Sequence, residues 1–329
     1  MKKFSLFFVC FLVLAFLIGS VSVCAAEKIE VKKVAAVLVG PIDDHSWNES
    51  AYQALMGLKE EGYTVAYVEG VYEPVNIVPA LRKYANAGYD IVIGHGFQAL
   101  EGIYEVAKDF PKVYFIADTG YIKKDSPPNL AVADIRNDET GYLEGVLAAL
   151  MTCTNKVGFI SGLDVGELHR NAYGFELGLK SVNPKIEFYK VYTGDFHDTE
   201  GARESALSMI ADGVDVINVI GNGVSYGAIS ACVDKGVWVT GNTWDIRPFA
   251  PEVALTTGLF NWLPIWKQII KDIEAGTLEP KVYWATLANG GHVMTPLNPK
   301  VPTETRRQIE ALKEKIISGE LVIPPEKAE

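Results

Sequence analysis

The sequence predicts an α/β protein built from two doubly wound lobes. From residue 33 onward, short apolar runs alternate with segments of helical period, which is the pattern of βα units around mostly parallel sheets. This alternation occurs twice in succession, with a break near residues 152–156, so two similar lobes are expected. The 329 residues suffice for two domains with separate cores.

The first 26 residues differ from the rest and predict export. Lys2 and Lys3 precede an apolar run from Phe4 to Gly19, and small residues follow at Ala25 and Ala26. This order is typical of a secretory signal peptide, and the apolar run is slightly short for a membrane-spanning anchor, which is the alternative. The sequence is compatible with two kinds of processing, which are cleavage after Ala26 and lipidation of Cys24. We therefore expect an exported protein, in the periplasm or on the outer face of the membrane.

The first series contains five predicted strands and four helices. The strands cover residues 34–39, 64–68, 91–93, 113–117 and 130–135, and the helices cover 49–61, 75–87, 98–109 and 139–151. The first helix has an apolar face and is stopped by Gly62. Asp138 is expected to be the N-cap of the fourth helix.

The second series has four predicted strands and three helices, followed by a less regular tail. Strands are predicted at 157–160, 186–191, 214–220 and 237–240, and helices at 167–181, 199–211 and 225–234. In the tail, strands are expected at 253–259, 282–287 and 293–297, and helices at 262–275 and 304–318. We predict a first lobe of residues 27–153 that regains part of 260–290, and a second lobe of 154–259 with part of 290–329.

Small polar residues recur directly after predicted strands. They occupy residues 44–48, 94–97, 118–120, 195–198, 221–223 and 242–245. In a doubly wound sheet these loops share one edge, at which ligands bind. Two facing lobes would therefore surround one cleft. Helix capping is the alternative for any single loop.

The same loops carry aromatic side chains, which are Trp47, Phe97, Phe196, Tyr226 and Trp244. A flat ligand between two rings would gain about 1–3 kcal/mol per stacked face, by analogy with bases stacked on proteins. Neighbouring Asn and Asp side chains would then read its edge. Core packing is the alternative for each ring.

Catalytic and cofactor signals are weak. The five histidines are scattered without metal-binding spacing, and we predict no serine nucleophile of the hydrolase type. Residues 221–227, GNGVSYG, only approach a dinucleotide motif, so we expect no cofactor and no metal. Cys153 and Cys232 do not form a disulfide framework or a zinc motif; two buried thiols are favoured over one disulfide.

The negative net charge of the chain limits the kinds of binding partner that we expect. The formal charge of the whole chain is −11, and loss of residues 1–26 removes two lysines and no acid. Such an acidic chain disfavours nucleic acid and anionic membrane surfaces. We expect a monomer whose partners are a small molecule and a membrane permease.

Several motifs in order resemble the basic membrane protein (BMP) family of purine-nucleoside-binding proteins that serve ABC importers. The family pattern D-x-S-F-N-x-S resembles Asp44–Ser50, with Trp47 in place of Phe. Further similar segments are Gly96-Phe97, Asp118, Asp138–Gly145, Gly158–Gly162 and Asp195–Asp198. The resemblance covers residues 32–298.

The resemblance implies a type I periplasmic-binding fold, in which two lobes joined by a hinge close over the ligand. It implies that Trp47 and Phe196 sandwich a purine, and that Asn48 and Asp118 hydrogen-bond to it. Two features depart from the family: Thr243 stands where an acid holds the ribose, and no lysine follows until Lys267. We therefore expect a free base or similar heterocycle rather than a nucleoside.

The predicted function is that of an extracytoplasmic substrate-binding protein for an ABC importer, without enzymatic activity. The predicted ligand-binding residues are Ser46, Trp47, Asn48, His95, Phe97, Asp118, Phe196, Asn222, Trp244 and Asp245. One alternative is an extracellular nucleoside hydrolase that uses Asp44, Asp118 or Asp245 as acid or base. Another is a sensor or adhesin on the same fold.

Overall fold

The computed structural model describes residues 29–324 and contains twelve strands within them. In chain order they are β1 (Lys33–Leu38), β2 (Thr64–Val68), β3 (Ile91–His95), β4 (Tyr114–Asp118), β5 (Leu130–Ile135), β6 (Lys156–Ser161), β7 (Glu187–Tyr192), β8 (Val216–Ile220), β9 (Trp238–Thr243), β10 (Ala254–Phe260), β11 (Val282–Ala285) and β12 (His292–Met294). The predicted signal peptide, residues 1–26, lies outside the described residues.

The described chain contains nine α-helices, of which the first eight lie between strands and the ninth follows the last strand. They are α1 (Trp47–Glu60), α2 (Pro74–Asn86), α3 (Leu100–Asp109), α4 (Asn137–Met151), α5 (Gly166–Val182), α6 (Thr199–Ala211), α7 (Gly223–Lys235), α8 (Leu263–Glu274) and α9 (Thr303–Ile317). A short 3-10 helix, Phe97–Ala99, precedes α3. No helix within residues 29–324 has both the length and the hydropathy needed to cross a membrane.

The strands form two six-stranded sheets, each the centre of one lobe. The first has the order β11-β5-β4-β3-β1-β2 and the second the order β12-β10-β9-β8-β6-β7. All neighbouring strands are parallel except β12, which pairs antiparallel with β10. The prediction of a two-lobed α/β fold with doubly wound sheets is confirmed.

Each sheet is covered on both faces, which explains the continuous apolar strands. In β1, Val34 and Leu38 face a core shared with α1 and α8, whereas Ala35 and Val37 face one shared with α2 and α3. In the second sheet, α6 and α7 cover one face, and α4, α5 and α9 contribute to the core on the other.

Helices α4 and α5 approach so closely that side chains are excluded from their contact. A Cβ built on Gly145 would lie 2.1 Å from the carbonyl oxygen of Phe175, and one on Gly178 would lie 2.2 Å from that of Tyr142. Gly145 lies within the segment 138–145 that resembles the family motif. Its lack of a side chain therefore allows α4 to pack against α5. This contact places α4 beside the second sheet. The division into lobes at residues 153 and 154 stays a prediction.

The chain passes between the sheets three times. It leaves the first sheet after β5 through α4, returns after β10 through α8, and leaves again between β11 and β12. The tail thus contributes to both lobes. A hinge of three connections holds the carboxyl ends of the two sets of strands near each other.

Two details of the prediction are wrong. Asp138 does not cap α4: the N-cap position is Arg136, and the Asp138 carboxylate instead accepts hydrogen bonds from Arg136 Nε at 2.9 Å and Nη2 at 2.6 Å. Cys153 and Cys232 are both free thiols, but only Cys232 is buried, since Cys153 is exposed.

Candidate functional site

A cavity of about 250 Å³ lies between the lobes at the carboxyl ends of the strands. The first lobe contributes Val39, Gly40, Pro41, Trp47, Asn48, Gly70, Tyr72, Gly96, Phe97, Gln98 and Thr119, and the rest of the lining is Glu167, Leu168, Phe196, His197, Gly221, Asn222, Thr243 and Phe260. The lining includes five aromatic rings but no lysine, arginine or aspartate. Such a surface suits a flat, uncharged ligand.

Asp44 organises the turn between β1 and α1. Its carboxylate accepts hydrogen bonds from the backbone N–H groups of Ser46 at 2.9 Å, Asn48 at 3.0 Å and Glu49 at 3.0 Å. These donors belong to the first turn of α1 and have no partner within the helix. Asp44 therefore holds the loop in the shape that directs Trp47 and Asn48 to the cavity.

The side-chain amide of Asn48 braces the same loop. Its Oδ1 accepts from the backbone N–H of Gly40 at 2.9 Å, and its Nδ2 donates to Asp44 Oδ2 at 2.8 Å. A Cβ on Gly40 would lie 2.5 Å from that Nδ2. Asn48 lines the cavity, but much of its hydrogen-bonding capacity serves the loop.

Trp47 forms an aromatic wall of the cavity and is held from behind. Its ring stacks on His95 with 4.4 Å between centroids and an interplanar angle of 18°. The rings of Phe260 and Trp262 meet it edge-on, at 5.9 and 5.3 Å. The orientation of Trp47 is thus set by packing before any ligand arrives.

His95 and Asp118 support this wall from a fully buried position. His95 Nε2 donates to the carbonyl oxygen of Trp47 at 2.9 Å, and Nδ1 lies 2.7 Å from Asp118 Oδ2. Trp266 Nε1 donates to the other carboxyl oxygen of Asp118 at 3.0 Å. Burial raises the pKa of Asp118, whereas the hydrogen bonds from His95 and Trp266 oppose the shift. Neither His95 nor Asp118 lines the cavity, and their contact with a ligand stays a prediction.

Phe196 reaches the cavity from the loop after β7. The carbonyl of Phe196 accepts a hydrogen bond from the backbone N–H of Val224 at 3.2 Å. A Cβ on Gly162 would lie 2.7 Å from the ring atom Cδ1 of Phe196. Glycine at the end of β6 therefore leaves room for this ring, which lines the same cavity as Trp47.

One hydrogen bond joins the lobes beside the cavity. Asn222 Nδ2 in the second lobe donates to Asp44 Oδ2 in the first, at 3.2 Å. Asn222 also lines the cavity. The two lobes are thus in contact across the cleft, as in a closed conformation.

Three predicted residues line a different cavity. Ser46, Trp244 and Asp245 border a space of about 510 Å³ on the other side of Thr243 and Phe260. Trp244 packs on Phe249 with 4.9 Å between ring centroids, and the Asp245 carboxylate binds the guanidinium of Arg247. Of the ten predicted residues, Trp47, Asn48, Phe97, Phe196 and Asn222 line the first cavity.

Tyr72, Glu167 and Phe260 also line the cavity, although no sequence pattern singled them out. Glu167 stands in the first turn of α5, directly after the loop that follows β6. This loop also follows a strand, as the other loops of the cleft do. It was not selected from the sequence because it contains neither aromatic nor amide side chains. Burial and the nearby charge of Asp134 raise the pKa of Glu167 to about 7, and the charge of Arg170 opposes the shift.

Two lobes that close over an aromatic cavity define a ligand-binding protein of the clamshell type, the architecture of type I periplasmic binding proteins. The chain belongs to the Bmp family, described as ABC transporter substrate-binding protein PnrA-like, whose model matches residues 31–327. This family comprises non-enzymatic transporter substrate-binding proteins, which removes the hydrolase alternative, and it implies an extracytoplasmic location and a small-molecule ligand.

Named relatives differ in their ligands. A purine-binding protein of Brucella abortus is 29% identical over 300 residues, covering 90% of this chain and 84% of its own. A protein of Haloferax volcanii, provisionally named an ABC transporter glucose-binding protein, is 27% identical over 294 residues, with 89% and 74% covered. The solved structure of an ABC transporter solute-binding protein from Conexibacter woesei has a TM-score of 0.74 and 29% identity, covering 89% of this chain and 99% of that one.

Proposed function

We propose that this protein captures a neutral flat heterocycle of the purine type, as the free base, and delivers it to an ABC permease. The observation that carries the proposal is the composition of the cavity: Trp47, Tyr72, Phe97, Phe196 and Phe260 line it, and no lysine, arginine or aspartate does. Aromatic faces attract a planar ring through stacking worth about 1–3 kcal/mol per base. The purine-binding relative supports the same ligand class.

A sugar fits this cavity less well. A hexose offers hydroxyl groups around its whole rim, and each buried hydroxyl needs a hydrogen-bond partner. The Asn48 amide is largely engaged by Gly40 and Asp44, and the Asp118 carboxyl is engaged by His95 and Trp266. A heterocycle has polar groups only at its edge and makes fewer such demands.

A nucleoside is disfavoured by the groups near its expected sugar. Thr243 lines the cavity where a carboxylate would hold vicinal hydroxyls, and no lysine lines it. The lining therefore offers the sugar no charged pair. A free base needs neither group.

Delivery requires a cycle of closure and opening. The ligand binds the open form, the second lobe closes over it, and the closed form docks on the permease. The contact between Asn222 and Asp44 belongs to the closed form. Residues 1–26 direct export, and lipidation of Cys24 would keep the protein beside its permease. Mass spectrometry of the protein from its native membrane tests this lipid anchor. A mature chain that begins after Ala26 contradicts it.

The ligand that the protein retains on purification tests this function. The protein is purified without refolding, and the bound small molecules are released and identified by mass spectrometry. A purine or related heterocycle in stoichiometric amount supports the proposal. A retained hexose overturns it.

A further inference from the structure

Glu167 places an acidic side chain in a cavity that is otherwise uncharged and aromatic. It occupies the first turn of α5, and its backbone carbonyl accepts a hydrogen bond from Asn137 Nδ2 at 3.0 Å. This bond ties the start of α5 to the start of α4 and fixes where the Glu167 side chain emerges. Two further lining side chains, Tyr72 and His197, are of types that can ionise.

The Glu167 carboxyl has no partner on another side chain. Within residues 29–324, no other residue hydrogen-bonds to it or forms an ion pair with it. The nearby cation is already engaged: Arg170 pairs with the carboxylate of Asp134, donates through Nε to the carbonyl oxygen of Ile135 at 3.2 Å, and lies 5.2 Å from the ring centroid of Trp284. Glu167 is thus left to interact with whatever enters the cavity.

An acceptor of this kind distinguishes ligands by their donors. An ionised carboxylate only accepts hydrogen bonds, through two oxygens. It matches an edge with two adjacent N–H groups, such as the ring N–H and amino group of guanine. It opposes an edge with a bare ring nitrogen, because two acceptors then face each other without a proton between them.

We propose that Glu167 is a specificity-determining residue whose carboxylate accepts hydrogen bonds from adjacent ring N–H and amino groups of the ligand. It selects heterocycles with a two-donor edge over those with an acceptor at that edge. The inference rests on the proposed function, because it concerns the same cavity and the same ligand class. Burial and the nearby charge of Asp134 raise the pKa of this carboxyl to about 7, and hydrogen bonds from N–H groups of the ligand would favour its ionised form.

The test compares guanine with 1-methylguanine, in which a methyl group replaces the ring N–H. Quenching of tryptophan fluorescence measures both affinities in the full-length mature protein, in Glu167→Gln and in Glu200→Gln. Glu200 is a matched control, since it is also a first-turn acid of a second-lobe helix but is exposed and outside the cavity.

The wild-type protein and the Glu200→Gln variant should prefer guanine by about 10- to 100-fold, the range for hydrogen bonds to a charged group. In Glu167→Gln the preference should fall to within about threefold, because the amide offers one acceptor in place of two. An unchanged preference in this variant overturns the role of Glu167 while leaving the proposed function intact.

If Glu167→Gln does not fold, the two affinities of the wild-type protein still test the proposed selectivity. Equal affinities of the wild-type protein for guanine and 1-methylguanine overturn the selectivity. Absence of binding of any purine base to the wild-type protein overturns the proposed function, and the role of Glu167 falls with it.

Discussion

Asn222 in the second lobe donates a hydrogen bond to Asp44 in the first lobe, with 3.2 Å between Nδ2 and Oδ2. Asp44 is also the acceptor for three backbone N–H groups at the start of α1. The residue that shapes the first wall of the cavity therefore also accepts a hydrogen bond from the second lobe. Closure of the lobes and organisation of the binding loop are coupled at this carboxylate.

Asn222→Ala is predicted to weaken ligand binding by favouring the open form. A hydrogen bond to a charged group contributes about 1.5–3 kcal/mol, so affinity should fall by roughly 10-fold or more. Fluorescence titration measures the affinity, and small-angle scattering should show a larger radius of gyration. Asn183→Ala is the control, because Asn183 bonds only within its own lobe, to Asn155 at 2.8 Å. Wild-type affinity in Asn222→Ala would contradict the coupling.

Trp47 is predicted to contribute most of its binding energy through its ring face. Trp47→Phe should retain measurable binding, because an aromatic face remains. Trp47→Leu should lose about 1–3 kcal/mol of binding free energy, the range for one stacked base. Tyr67→Leu is the control, since Tyr67 is an exposed aromatic outside the cavity. Equal calorimetric affinities of Trp47→Leu and wild type would exclude stacking on this ring.

Stability is predicted to fall as pH rises because of Glu144. This fully buried carboxyl on α4 accepts from Asn218 Nδ2 at 2.9 Å and from the backbone N–H of Gly258 at 3.2 Å. Burial raises its pKa from 4.5 to about 8. The folded state keeps the proton that the unfolded state releases, so the contribution of Glu144 to stability is full below about pH 4.5 and is lost as pH rises through about 8.

Glu144→Gln should remove this dependence, because the amide is neutral at every pH. Urea unfolding at pH 5, 7 and 8 compares the two proteins, and each unit of pKa shift corresponds to about 1.4 kcal/mol. Glu310→Gln, an exposed site on α9, serves as the control. Below pH 6.5 a separate loss of stability should occur, since burial lowers the pKa of His292 to about 3. Parallel stability curves for Glu144→Gln and wild type between pH 5 and 8 would refute the role of Glu144.

Gly145→Ala is predicted to destabilise the second lobe strongly. The added methyl group would lie 2.1 Å from the backbone oxygen of Phe175, which cannot move without separating α4 from α5. The cost should be about 1–3 kcal/mol or more. Gly102→Ala in α3 is the matched control, because its methyl group would lie 3.1 Å from a side-chain carbon of Val78, and the change should stay within about 1 kcal/mol. Similar unfolding free energies for the two variants would contradict the close-packing role.

The architecture was readable from the sequence because both faces of each sheet are covered. A strand such as β1 is then apolar without interruption from Val34 to Leu38, and the intervening helices keep their own period. Loops at the strand ends identified Trp47, Asn48, Phe97, Phe196 and Asn222 as neighbours of one cleft. These positions follow from topology alone.

The roles within the site depend on contacts that no local pattern encodes. His95 and Asp118 follow strands as ligand-binding residues do, yet they pack behind Trp47 because Trp266 and Trp47 supply their partners. Trp244 lies on the far side of Thr243, whose backbone has a φ of 82°, and so borders the neighbouring cavity. Glu167 reaches the cleft although its sequence context resembles an ordinary helix start.

Isothermal titration calorimetry of the mature protein with guanine, adenine, adenosine and glucose tests the central claim most directly. The protein is first freed of retained ligand by unfolding and refolding. Guanine should bind most tightly, adenine more weakly, and adenosine and glucose weakly or not at all, because the cavity stacks a planar ring and its lining has no pair of a carboxylate and a lysine or arginine for a sugar. Tight binding of glucose or of adenosine alone, with no binding of either base, would contradict the account.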